Sequence, residues 1–132
     1  MKYSALFIIL FVFARCADNG ANDGANTEEL ETIASEFNRD GARMIDSETR
    51  IDAIEIKGGN TIVYKYTLVN LQVKHVDTTE FKQALKPGII SLIKLSPQMK
   101  KLRDRETHFE YYYQDKENKL IYNFKINPLD YQ

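Results

Sequence analysis

Apolar positions recur along this chain at two periods, and the switches between them divide it into elements. Leu30, Ile33, Ala34 and Phe37 stand at i, i+3, i+4 and i+7, which predicts an amphipathic helix of about three turns. Asn26 or Thr27 caps it, Glu28 and Glu29 sit in its first turn, and Asn38-Arg39-Asp40-Gly41 ends it. The period then drops to two. Residues 50–57 put Ile54 and Ile56 on one face of a strand, and Gly58-Gly59-Asn60 supplies a turn that tolerates positive φ. Residues 61–70 alternate most clearly, with Ile62, Tyr64, Tyr66 and Leu68 on one side and Val63, Lys65, Thr67 and Val69 on the other. This pair forms a first hairpin, and Leu71, Val73 and His75 prolong its second strand.

Asp77-Thr78-Thr79-Glu80 opens a second helix that turns Phe81, Ala84 and Leu85 inward, and Pro87-Gly88 is expected to kink or end it. Ile89, Ile90, Leu92, Ile93 and Leu95 then fit a buried helix, and Ser96-Pro97 starts a short one through Met99 and Leu102. Residues 107–130 read as a second hairpin. Phe109, Tyr111 and Tyr113 share one face of its first strand, and Leu120, Tyr122, Phe124 and Ile126 share one face of its second. Asp115-Lys116-Glu117-Asn118 is the turn between them. The order α-β-β-α-α-β-β implies an α+β fold, an antiparallel sheet of about four strands (two hairpins) with helices packed on one face. The other face would show Val63, Lys65, Thr67, Glu110, Tyr112, Asn123 and Lys125, and it is the place to look for a partner.

The first residues do not belong to that pattern. Lys2 precedes an unbroken apolar run, residues 5–14 (ALFIILFVFA), of signal-peptide length and too short for a permanent membrane span. The chain therefore divides into residues 1–16 as a signal peptide, 17–26 as a flexible tether rich in Asn, Gly and Asp, and 27–132 as a single α+β domain. Two outcomes stay open at Cys16. Phe13-Ala14-Arg15-Cys16 resembles a bacterial lipoprotein signal, in which the Cys is acylated, although Arg15 stands where a small residue is usual. Ordinary cleavage after Cys16 or Ala17 is the alternative. Either way the domain lies in the periplasm or is tethered to the outer membrane, and a lipid on Cys16 would be its only membrane contact.

Composition narrows the chemistry further. Cys16 is the only cysteine among 132 residues, so the domain holds no intramolecular disulfide and no thiol chemistry. A formal net charge of -1 argues against a nucleic-acid partner. His75 and His108 are the only histidines, each beside an acid, Asp77 and Glu106; a metal site would require the two ends to meet. No catalytic motif of the common hydrolase, metalloprotease or nucleotide-binding kinds occurs. No cofactor is implied. Asp46-Ser47-Glu48-Thr49-Arg50-Ile51-Asp52 is the densest polar run outside a turn, and Asp46, Thr49 and Arg50 are its candidate ligand or partner contacts. Of the clustered tyrosines, Tyr64, Tyr66, Tyr111 and Tyr113 belong to the core with their hydroxyls at its rim, and Tyr112 is the exposed contact.

Asp46-x-x-Thr49-Arg50-x-Asp52, Tyr64-x-Tyr66-Thr67-Leu68, Pro97-x-Met99, Tyr111-x-Tyr113 and Asn127-Pro128-x-Asp130 together resemble a group of short exported bacterial envelope proteins of unassigned function, over about residues 30–131. The resemblance implies an envelope location and a small α+β domain, and it carries no activity. Members of the group hold one Cys before the Ser-Pro and another at the C-terminus, where this chain has Leu95 and Tyr131. An apolar contact in place of a former disulfide is the expectation there. The function expected is a non-catalytic binding or accessory module, of the general type of secretion-system pilotins and small inhibitors, holding another envelope protein through the open sheet face or an edge strand. The alternative is a small ligand-binding protein or hydrolase with a pocket of Asp46, Arg50 and a Tyr.

Overall fold

The computed structural model describes residues 23–132, with side chains from Thr27 onward. Cys16, the signal peptide and most of the tether lie outside the described residues. Helix α1 runs Asp23–Asp40, so it begins ahead of the cap expected at Asn26 or Thr27. Thr27 instead lies within the helix and donates its hydroxyl to the Gly59 carbonyl at 2.9 Å. Leu30, Ile33, Ala34 and Phe37 are all buried, as their spacing requires.

Strands β1 (Arg43–Met44), β2 (Thr49–Lys57), β3 (Thr61–Leu68), β4 (His108–Asp115) and β5 (Leu120–Ile126) follow. Helix α2 (Thr79–Leu95), helix α3 (Lys100–Asp104) and a terminal turn, α4 (Pro128–Tyr131), are accompanied by two 3-10 turns, Val73–His75 and Pro97–Met99. Among the described residues the strands form one sheet in the order β1-β2-β3-β4-β5. Both expected hairpins are present, β2–β3 and β4–β5, each antiparallel. Two features depart from the antiparallel four-strand expectation. β1 adds an edge of two residues, too short to show alternation, and β3 pairs with β4 in parallel.

The parallel junction follows from lengths. α2 has 17 residues and β3 has 8, so the helix spans about 25 Å and the strand about 26 Å. The helix returns the chain to the end of the sheet where β3 began, and β4 then starts beside Thr61 in the pair Thr61↔His108. Pro87 does not interrupt this return. Phe81, Leu85, Ile89 and Ile93 make the buried stripe of α2, while Pro87 and Ala84 lie on its exposed side. The backbone hydrogen bond that a proline removes is lost where water replaces it. The expected extension of β3 through His75 is likewise replaced by a 3-10 turn, Val73–His75.

The parallel register places Tyr64 beside Tyr111 and Tyr66 beside Tyr113, and Phe124 sits opposite Tyr111. Their rings stack with centroids 5.1, 4.8 and 5.3 Å apart. Such pairs add to the burial of the rings themselves. Two of the four tyrosine hydroxyls are not at the rim. Those of Tyr66 and Tyr113 are buried without a hydrogen-bond partner among the described residues, and burial pushes their pKa values well above the ordinary tyrosine range.

The face assignment of β5 holds for Tyr122, Phe124 and Ile126 but not for Leu120. A register shift between Tyr113 and Gln114 inserts Ile121, so Ile121 is 4% exposed and Leu120 is 51% exposed. Burial is also uneven at Leu95 and Tyr131, where an apolar contact is expected. Leu95 keeps 77% of its surface in solvent, whereas Tyr131 packs edge-on against Phe109 at 5.9 Å and donates its hydroxyl to the Thr107 carbonyl.

Single polar side chains join the loops to the sheet. Asn38 pairs with the backbone of Ile54 through both ends of its amide, at 2.8 and 3.0 Å, binding the end of α1 to β2 as a neighbouring strand would. Asp115 is fully buried and accepts the backbone N–H groups of Val73, Glu117 and Lys119. The Val73 bond, with the Lys119 and Glu117 bonds and the Lys119 charge, holds its pKa below the usual carboxylate value in spite of desolvation. Asn118 in the same turn adopts φ 63, as expected of an Asn there.

Truncating Tyr66 or Phe124 to Ala should cost about 3–5 kcal/mol in urea unfolding, and a loss under about 0.5 kcal/mol would overturn the face assignment. Because the folded pKa of Asp115 is depressed, its stabilisation is present above the unfolded value near 3.9 and is lost as pH falls through the lower folded pKa. Asp115→Asn should therefore be less stable than wild type at neutral pH, with the gap closing on acidification below about pH 4. A gap that stays constant with pH, followed by thermal unfolding, would contradict this account.

Candidate functional site

With α1 and α2 on one side, the opposite face of the sheet is a concave surface built by alternation along β2 to β5. A trough of about 430 Å³ is lined by Asp52, Glu55, Lys57, Val63, Lys65, Glu110, Tyr112, Gln114 and Asn123. Val63, Lys65, Glu110, Tyr112 and Asn123 belong to the face that alternation assigned to the outside. The strand register sets them in rows. Glu55, Val63, Glu110 and Lys125 follow one another across the sheet, and Lys65, Tyr112 and Asn123 form the next row.

The charged residues that line the trough are each paired within this face. Lys65 meets Glu55 at 2.5 Å and Lys57 meets Glu110 at 3.4 Å. Arg50 donates Nε to Asp52 at 2.5 Å; Thr67, itself donating to Asp52, accepts from Gln114 at 3.0 Å. These bonds run from β2 to β4 and knit the end of the trough. The side chains of Tyr112 and Asn123 make no hydrogen bond to a described residue, and both reach the trough.

The four residues singled out from the polar run and the tyrosines are distributed over both sides of the sheet. Tyr112 lies in the trough. Arg50 turns to the same face but is engaged by Asp52. Asp46 turns the other way: Oδ1 accepts the backbone N–H groups of Glu48 and Thr49 at 2.7 and 2.8 Å. Its charge lies near enough to Tyr113 to help raise that hydroxyl's pKa, after desolvation and the Tyr111 contribution. Thr49 is buried, 3% exposed. Asp46 thus shapes the loop before β2, and Arg50 organises the sheet surface.

His75 follows the end of β3 and His108 begins β4 beside the start of β3, so they sit at opposite ends of the sheet. His108 Nδ1 lies 3.0 Å from Asn127 Oδ1. No group of three His, Cys, Asp or Glu side chains among the described residues is placed to hold a metal ion. Asp52, Glu55, Lys57 and Gln114 are absent from the sequence-derived face, although Glu55 and Lys57 alternate with Ile54 and Ile56 along β2. Gln114 ends a period-two series that already held Glu110 and Tyr112, so alternation alone would have included it. Asp52 was hidden by the β2 irregularity between Ile51 and Ala53.

A family model described as a domain of unknown function matches residues 25–122. None of the curated proteins matches the chain by sequence. The fold is shared with solved structures of low sequence identity. A Pseudomonas aeruginosa protein whose secretion is inferred superposes with a TM-score of 0.67 at 12% identity, covering 86% of this chain and 100% of the other. The pilotin EpsS of the Vibrio vulnificus type 2 secretion system gives 0.58 at 13% identity, covering 83% and 97%. The type II secretion system pilotin AspS of Vibrio cholerae gives 0.59 at 12% identity, covering 82% and 94%.

Proposed function

The chain belongs to the DUF8479 family, and we propose that it is a non-catalytic accessory module of the bacterial cell envelope that holds another envelope protein through the open sheet face or the free edge of β5. The observation that carries this reading is the one-sided sheet: helices cover a single face, and the other is a trough whose charged groups are spent on one another. Two pilotins share the architecture, which supports an accessory role. A hydrolase built on Asp46, Arg50 and a Tyr draws less support, since Arg50 and Asp46 face opposite sides of the sheet.

The edge offers a second contact mode. β5 is the outer strand with 7 residues, against 2 in β1, and no backbone bond to its outer side comes from a described residue. Such an edge accepts an added strand. Residues 1–16 would deliver the domain across the inner membrane, and the tether of residues 17–26, whose last four belong to α1, would follow the export signal. A lipid on Cys16 would hold it at the outer membrane.

A photo-crosslinking residue placed at Tyr112 or Lys125 in the living bacterium should capture a discrete protein partner, and the same residue at Glu36 on the outer side of α1 should not. Equal capture at all three, or none at any, would overturn the proposal. Metabolic palmitate labelling of wild type should disappear in Cys16→Ser; labelling that survives the substitution, or that is absent from wild type, would remove the lipid tether.

A further inference from the structure

We propose that the trough on the open sheet face binds a neutral oligosaccharide, with Tyr112 as the stacking platform and Asn123 and Gln114 as the hydrogen-bonding groups beside it. The inference rests on the reading of this face as the working surface and names a ligand class for it. At about 430 Å³ the trough has the size of a small-molecule site. Its charges decide against an ionic ligand. Lys57, Lys65 and Arg50 are each matched by Glu110, Glu55 and Asp52 within the surface, so an incoming ion meets a like charge beside every opposite one and gains little net attraction.

An apolar ligand finds little to cover. Val63 is the aliphatic side chain of the lining and is itself buried, 2% exposed, which leaves the Tyr112 ring as the hydrophobic surface on offer. What remains unspent is neutral and polar. The Tyr112 hydroxyl and the Asn123 amide have no bonds to described residues, and Gln114 uses its Nε2 on Thr67 and Asn118, keeping its carbonyl oxygen.

One aromatic face flanked by free amide and hydroxyl groups suits a ring that is apolar above and below and carries hydroxyls around its rim. A pyranose has that form: its C–H face lies on the ring, and its hydroxyls meet the amides. Lys65, Tyr112 and Asn123 stand in register across three strands, a row of about 10 Å, so more than one sugar unit lies along it.

The test is a titration of the ¹⁵N-labelled protein with chitotetraose and with maltotetraose, using hexaglutamate and hexalysine as charged controls. Shifts of the Asn123 and Gln114 side-chain amides and of the Lys65 and Tyr112 backbone are expected with one or both sugars at millimolar concentration. The sugar that responds separates an N-acetylated from an unsubstituted glycan. Tyr112→Ala should weaken binding about tenfold, whereas Tyr112→Phe, which keeps the ring and the fold, should retain most of it. Asn123→Ala, on the edge strand, should weaken it independently. No response to either sugar, a response unchanged in Tyr112→Ala, or a stronger response at this face to a charged peptide would each overturn the inference. A face blind to sugars that still yields protein adducts at Tyr112 in cells would leave the accessory-module proposal standing. Sugar binding without any adduct at Tyr112 or Lys125 would do the reverse.

Discussion

The parallel contact between β3 and β4 is the constraint on which the rest of this structure depends. It joins two hairpins that are separate in the sequence, and it sets Tyr64 on Tyr111 and Tyr66 on Tyr113 in the middle of the core. Burying a tyrosine hydroxyl without a partner costs about 1–3 kcal/mol. The rings repay it through their area and their stacking on neighbouring strands. A domain whose 27–132 segment contains no cysteine has only such packing to rely on, and here the packing is aromatic at its centre and aliphatic under α1 and α2.

The same junction shapes the outer surface. By aligning β3 with β4 it also aligns Lys65 with Tyr112 and Val63 with Glu110, while the hairpin partners add Glu55 on one side and Asn123 on the other. Ion pairs can then form between strands at the spacing the sheet imposes. The trough is therefore a by-product of the core register: side chains that cannot face inward are arranged by those that do. Its neutrality arises from pairing within and between strands and not from a lack of charged residues.

Three polar side chains hold the loops around this frame. Asp115 gathers three backbone N–H groups from two segments, and the Asn38 amide attaches α1 to β2. Asp46 does the same for the loop before β2. Residues of this type attract attention as candidate chemistry because isolated acids and amides in a small domain are few. In this fold Asp115, the Asn38 amide and one oxygen of Asp46 are taken up by backbone groups that strands and helices leave unpaired, while Asp46 Oδ2 is buried without a partner among the described residues.

Local periodicity determined α1's buried stripe, both hairpins, the faces of β3 and β4 and the membership of most of the open surface, because each depends only on neighbours a few residues apart. The bulge that turns Leu120 out and Ile121 in, the exposed Leu95 and the buried Tyr131 depend on what lies across the sheet or under a helix. Pro87 misleads locally, since a proline on the solvent side of a helix already anchored by Phe81, Leu85, Ile89 and Ile93 removes one bond without ending it. By itself the sequence determined which residues of α1, β3 and β4 face in and which face out. Only the tertiary structure decided which outward residues meet, because the parallel pairing of β3 with β4 joins segments about forty residues apart, a separation beyond the reach of any local period.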